Sequence, residues 1–196
     1  MTDITLRPAK PSDAADLAIL DNLASHGISA WFWQRESKSL EEALCKGRAR
    51  FAKKDSVYGW INSTVAVDEQ DSICGTVCGY VMPEADDEVD EIKKSAPAMV
   101  PIFELFDQIT HSWLIDSLAV YPTHQGKGIA SKLLDDSLDK ARSKAQKHAS
   151  LVVEDSNQPA LKLYLSRGFE AVETRAYVEF DGPSETKFWQ LMTAQL

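Results

Sequence analysis

Cysteine is scarce in this chain: Cys45, Cys74 and Cys78 are the only three among 196 residues. An odd number of thiols, in a chain long enough to stabilise itself by burial, excludes a disulfide scaffold and leaves them as small packed hydrophobes. No run approaches the roughly 18 unbroken apolar residues of a membrane span, so no membrane is expected as a partner. Asp3, Arg7, Lys10 and Asp13 stand where a signal peptide needs an apolar centre, and the reading is therefore cytoplasmic. Clusters of Lys and Arg interleaved with aromatics are missing too, and with a net charge of -9 this excludes nucleic acid as a ligand. His26, His111, His124 and His148 fall at no ligand spacing, and no metal is expected. Internal repeats, low-complexity tracts and Gly/Ser linkers are also lacking, so residues 1–196 read as a single domain.

What is present is a periodic pattern around one core, with 44% hydrophobic residues to fill it. Ile4 and Leu6 suit a first strand, and Ser12 or Asp13 suits the cap of a helix through Leu17, Leu20 and Leu23. Ser39 caps a second helix, Leu40 to Phe51, whose acidic start and basic end complement its dipole. Val57 to Val67 and Ile73 to Met82 read as antiparallel strands around a polar turn at Asp68–Asp71. Glu84 to Glu91 is too charged to pack, and Pro101 to Ile109 forms a short amphipathic helix. Trp113 to Val120 is apolar on both faces except at Asp116 and Ser117, as a central strand covered on both sides would be. The best-defined helix follows, with Ile129, Leu133, Leu134, Leu138 and Ala141 on one face. Leu151 to Val153 makes a buried strand, and Asn157, Pro159 and Gly168 mark the start and end of a last helix. Ala171 to Phe180 and Thr186 to Met192 are two closing strands around a turn at 181–183. The fold class is α+β with a mixed sheet.

The chemistry concentrates in His124-Gln125-Gly126-Lys127-Gly128-Ile129-Ala130, the turn between the central strand and the best-defined helix. Two glycines there let the backbone approach a ligand closely, successive N–H groups converge, and the helix dipole favours an anion such as pyrophosphate. Lys127 adds a mobile positive charge. The spacing is neither a P-loop nor the three-glycine dinucleotide fingerprint. A glycine turn that only relieves crowding is the plain alternative.

Context narrows the choice. Leu118-Ala119-Val120-Tyr121-Pro122, then Gln125-Gly126-Lys127-Gly128-Ile129-Ala130, then Leu133-Leu134 resembles the acyl-CoA-binding motif of the GNAT superfamily of N-acetyltransferases, whose pattern is Gln/Arg-x-x-Gly-x-Gly/Ala. A second block, Leu151 to Glu154, Asn157, Ala160, Leu163-Tyr164 and Arg167-Gly168-Phe169, resembles the strand and helix that follow in that family. The resemblance implies a three-layer α/β/α domain with a mostly antiparallel central sheet and splayed central strands. It also implies acetyl-CoA as cosubstrate, a small-molecule primary amine as acceptor, and in many relatives a homodimer. By similarity, Leu118, Ala119 and Val120 meet the pantetheine arm, while Gln125, Gly126, Lys127, Gly128, Ile129 and Ala130 hold the pyrophosphate. Asn157 would hydrogen-bond the cofactor, its alternative role being a helix cap. Tyr164 would protonate the departing thiolate, its alternative role being packing. The family supplies no single residue for the base. Asp116, on the central strand, is the candidate to take the amine's proton, with Glu154 as second candidate and burial against a partner as the alternative for Asp116. Trp31, Phe32 and Trp33 either wall an acceptor pocket or pack the core. A protein or peptide acceptor, and a non-catalytic acyl-CoA sensor, are the competing functions.

Overall fold

The computed structural model describes residues 4–35, 37–83, 94–109, 111–180 and 182–196. Seven strands are hydrogen-bonded in the order β1-β2-β3-β4-β5-β7-β6. They are β1 (Thr5–Pro8), β2 (Ser63–Val67), β3 (Ile73–Val81), β4 (Trp113–Val120), β5 (His148–Glu154), β6 (Glu170–Ala176) and β7 (Phe188–Gln195). Among the described residues six α-helices accompany them: α1 (Ala14–Ala24), α2 (Ile28–Gln34), α3 (Leu40–Phe51), α4 (Val100–Phe106), α5 (Ile129–Ser143) and α6 (Gln158–Leu165). The sheet is mixed and mostly antiparallel, as the sequence predicts: β1–β2, β2–β3, β5–β7 and β6–β7 are antiparallel, and β4–β5 is parallel. Residues cluster into two units, Met1–Tyr80 with Ile115–Asp139, and Val81–Leu114 with Lys140–Leu196.

In the first unit, β2 sets the layering. Successive side chains of a strand point to opposite faces. Val65 packs with Leu17, Ala18, Trp33, Ala43 and Phe51 from α1, α2 and α3. Thr64, one residue earlier, donates from Oγ1 to Asp136 Oδ2 of α5 at 2.8 Å. Helices therefore cover both faces of this strand. α3 begins where Ser39 predicts, its Oγ accepting from Glu42 N at 3.2 Å, and its packing is close. At Gly47 the ring of Trp33 occupies the place a Cβ would take. Trp33 is thus a core residue, while Trp31 is half-exposed with the Arg35 guanidinium over its ring at 5.5 Å. α2 itself is not predicted from the sequence; it enters from Gly27, whose φ of 99° redirects the chain after α1.

Three local expectations need correction. Asp13 does not cap α1 through its side chain; its Oδ2 accepts from Lys10 N at 2.7 Å and from Arg7 Nη1 at 2.7 Å. β2 starts at Ser63 rather than Val57, because Trp60–Asn62 forms a 3-10 turn and Asn62 Nδ2 donates to Val57 O at 2.9 Å. Cys74 and Cys78 are buried free thiols as expected, but Cys45 is exposed on α3. The run 84–91 and the turn residue Asp181 lie outside the described residues.

In the second unit, β5 pairs with β7 along its whole length, from His148↔Gln195 to Glu154↔Trp189. The parallel ladder from β4 to β5 is formed by Trp113↔Ala149 and Leu114↔Ser150. Ser112, Ser150 and Thr193 link hydroxyls across this region at 2.9 and 3.0 Å, so the polar atoms of a buried strand find partners. Among the described residues, no helix is long and apolar enough to cross a membrane.

Candidate functional site

β4 is buried along most of its length and delivers the chain into the glycine turn. Its end is fastened within the first unit. Tyr121 N donates to Cys74 O at 2.9 Å, and the Tyr121 hydroxyl donates to Asp16 Oδ1 of α1 at 2.7 Å. Burial, with that carboxylate beside it, drives the Tyr121 phenol well above its usual range and keeps it a neutral donor.

A 3-10 turn at Pro122–His124 follows, and Gln125 leaves it in extended conformation. Gln125 Nε2 reaches back to Val120 O at 3.1 Å, and Lys127 Nζ donates to Thr123 O at 3.1 Å. Both side chains brace the turn from behind. Gly126 and Gly128 have φ of 74° and 75°, backbone that a Cβ disfavours. A Cβ at either position would meet nothing within 4 Å, so the glycines are not there to relieve crowding. Their surroundings are open, and the residues from Gln125 to Gly128 are exposed. Ile129 turns its side chain into the core and Ala130 is half-buried, so these two offer backbone only. The first N–H groups of α5 have no partner within the helix. Together they make a concave set of donors at the positive end of a 15-residue helix.

Asp116 lies six residues before Pro122 on β4, within a polar group that sequence reading finds only in part. The Tyr80 hydroxyl of β3 donates to the Asp116 carboxylate. Asp21 of α1 and Arg50 of α3 act on it through their charges, and Asp21 accepts from Ser29 of α2 and Ser117 of β4. Arg50 stacks at 4.0 Å from the centre of the Tyr58 ring, which meets Tyr80 edge-on at 5.9 Å. Asp21 and Asp116 are both half-buried. Burial first, and then the like charge of Asp21, push the Asp116 carboxyl up to about 7; burial pushes Asp21 upward as well. One signal for Asp21 is present in the sequence: it sits one turn after Leu17 and next to Leu20, on the apolar side of α1. Arg50, Tyr58 and Tyr80 carry no such signal, because three separate elements bring them in.

Asn157 and Tyr164 belong to the second unit, with Glu154. Asn157 caps α6, its Oδ1 accepting from Ala160 N at 3.2 Å, and its own N–H donates to Glu154 O at 3.0 Å. Glu154 is buried at the end of β5. Tyr164 is 8% exposed and packs on Phe169 with ring centres 5.8 Å apart. Burial alone pushes its phenol up to about 12. Gly168, with φ of 79°, ends the helix and lets Phe169 N return to Tyr164 O at 3.2 Å. Among the described residues no group of side chains is arranged to hold a metal ion.

Known proteins are similar to this chain. The chain is 41% identical over 161 residues to an L-methionine sulfoximine/L-methionine sulfone acetyltransferase of Salmonella typhimurium, covering 81% of this chain and 77% of that protein. It is 42% identical over 65 residues to an L-amino acid N-acyltransferase of Escherichia coli, covering 33% of this chain and 37% of that one. A Salmonella typhimurium protein described as an acetyltransferase, with its cofactor acetyl-CoA, shares the fold at 20% identity with a TM-score of 0.61, over 100% of this chain and 95% of that one. The model of the acetyltransferase (GNAT) family matches residues 25–169, spanning β4, the glycine turn, Asn157 and Tyr164, and the chain belongs to that family.

Proposed function

We propose that this protein is an N-acetyltransferase that moves the acetyl group of acetyl-CoA to the primary amine of a small molecule, by direct attack in a ternary complex. The observation that carries the reading is the open turn at Gly126 and Gly128, with positive φ at both and empty space where each Cβ would stand. In a member of this family, that cradle suits a pyrophosphate. Relatives named for L-methionine sulfoximine, L-methionine sulfone and L-amino acids put amino-acid-like amines first among the acceptors to test.

Acetyl-CoA supplies the activated acyl group as a thioester. The backbone of Leu118, Ala119 and Val120 aligns the pantetheine arm, and Gln125 keeps the following turn in register. N–H groups from Gly126 to Ala130 hold the pyrophosphate, with Lys127 as counter-charge. Asn157 adds a polar contact to the arm while capping α6. Asp116 accepts a proton from the acceptor's ammonium, which frees the nitrogen lone pair to attack the thioester carbonyl. Tyr164, held neutral by burial, gives its phenolic proton to the departing thiolate sulfur and is restored by the second proton, which the nitrogen sheds as the tetrahedral adduct collapses to the amide. Holding amine and thioester together makes the step effectively unimolecular, which supplies much of the rate.

The test is a thermal-shift titration with acetyl-CoA, CoA and ATP, followed by an amine panel read as CoA release. Both CoA species are expected to stabilise the protein and ATP is not, since a ligand specific to the folded state raises its stability. No shift at millimolar CoA refutes the cofactor site. Tyr164→Phe is expected to cut turnover at least about tenfold with the CoA shift intact. Stabilisation by CoA without turnover of any amine or peptide would instead identify a sensor.

A further inference from the structure

The mechanism above uses Asp116 and leaves its buried neighbour unexplained. Asp21 projects from α1 with two hydroxyl donors, Ser29 and Ser117, and the second is adjacent to Asp116 on β4. Tyr80 approaches Asp116 from β3, Arg50 supplies one positive charge from α3, and the Cys78 thiol of β3 also faces the pair. Two carboxylates and one guanidinium leave one negative charge uncompensated when both acids are ionised. Burial and the like charge together oppose full ionisation of both acids, so the two titrate as a coupled pair. Structural ion pairs do not need that arrangement, because a single aspartate would neutralise Arg50.

We propose that Asp21 is the positioning residue of the base, holding Asp116 at the acceptor site through Ser117 and making it a stronger proton acceptor by its own negative charge. The inference rests on Asp116 being the base. A free carboxylate is far too weak to take a proton readily from an ammonium. Burial first, and the charge of Asp21 second, raise it from 3.8 to about 7, which improves that equilibrium about a thousandfold. The proton leaves the acceptor nitrogen, bonds to a carboxylate oxygen of Asp116 and departs to solvent after the product. Arg50 keeps the pair close to neutral while it holds that proton.

Two measurements test this. Carbon-13 NMR titration of the aspartate carboxyls in the wild-type protein, with no acceptor present, is expected to show two coupled, biphasic curves with an upper step near neutral pH. In Asp21→Asn the upper step should drop by at least one pH unit, and in Asp21→Glu, which keeps the charge, it should stay near neutral. The same variants are then followed by kcat/KM against pH. Asp21→Asn is expected to move the acid limb down by a similar amount and to lower plateau kcat about tenfold, with KM changed less than about threefold. Asp21→Glu should restore the limb. Monophasic aspartate curves confined to the ordinary carboxylate range, or an acid limb unmoved in Asp21→Asn, overturn the proposal. The NMR arm needs no turnover, so coupled curves in a protein that acetylates no amine would refute the acceptor chemistry and leave the coupling of Asp21 to Asp116 standing.

Discussion

Gly75→Ala separates two reasons for a glycine in this protein. A Cβ at Gly75 of β3 would lie 2.7 Å from Ala119 O and 3.0 Å from Val120 Cγ2, with Val120 Cα at 3.2 Å. Ordinary contact begins near 3.4 Å, so β4 must retreat by several tenths of an ångström, and its backbone has little freedom to do so. Overpacking of this kind costs about 1–3 kcal/mol, offset by about 0.4–1 kcal/mol from the stiffer unfolded chain. At about 2–4 °C per kcal/mol for a chain of this size, Tm should fall by several degrees. The displaced atoms belong to Ala119 and Val120, which the proposed function assigns to the pantetheine arm. Stabilisation by CoA should therefore shrink too; a tenfold loss of affinity removes about 1.4 kcal/mol. Gly126→Ala is the control. Its Cβ meets nothing, so the apo protein should lose only about 1 kcal/mol from the positive φ, while CoA stabilisation is lost because the cradle is filled. Differential scanning fluorimetry with and without CoA reads both variants. An apo Tm for Gly75→Ala equal to or above wild type would refute the close approach of β3 and β4.

Three further outcomes follow from named contacts. Asn157→Ala removes the cap of α6 and should cost about 1 kcal/mol in urea unfolding; a weaker CoA response beyond that loss would add the cofactor contact to the capping role. Hydrogen bonding and charge from Arg7, with a bond from Lys10 N, outweigh burial and hold the Asp13 carboxyl below 3.8. Its stabilisation is therefore present above 3.8 and lost as pH falls toward the lower folded value, and Arg7→Met should flatten this acid limb of Tm against pH. Asp116 has the opposite sign. Its folded value of about 7 exceeds 3.8, so the folded state keeps a proton that the unfolded chain has lost, and stability declines as pH rises between them. Wild-type Tm should fall from pH 5 to pH 8 relative to Asp116→Asn; parallel curves would refute the raised carboxyl.

The geometry of the glycine turn is legible because it is local. Strand, turn and helix are contiguous from Trp113 to Ser143, so spacing alone places Gly126 and Gly128 in the strand-to-helix turn, and Ser39, Asn157 and Gly168 act within a few residues of themselves. Gains and misses follow contact distance. The surroundings of Asp116 come from α1, α3 and β3, far apart along the chain, and no periodicity announces Arg50 or Tyr80. α2 is hidden because its aromatics Trp31, Phe32 and Trp33 face more than one environment. The end of α5 is blurred because Ala145, with φ of 54°, takes the left-handed position that glycine usually marks. The segment from Val57 to Asn62 reads as strand because the 3-10 turn at Trp60–Asn62 uses residues that also favour strands.

The bond from Tyr121 to Asp16 bears on how such an enzyme is re-engineered. Asp16 and Asp21 stand five residues apart on α1, about 140° around the helix axis, so one face of α1 secures the entrance to the glycine turn while another presents a charge beside Asp116. Replacing α1 wholesale to change acceptor preference would cut the Asp16 strut, 2.7 Å long, and disturb the glycine turn as well. A library that varies the positions around Asp21 and leaves Asp16 fixed keeps the two ends of the reaction separately adjustable.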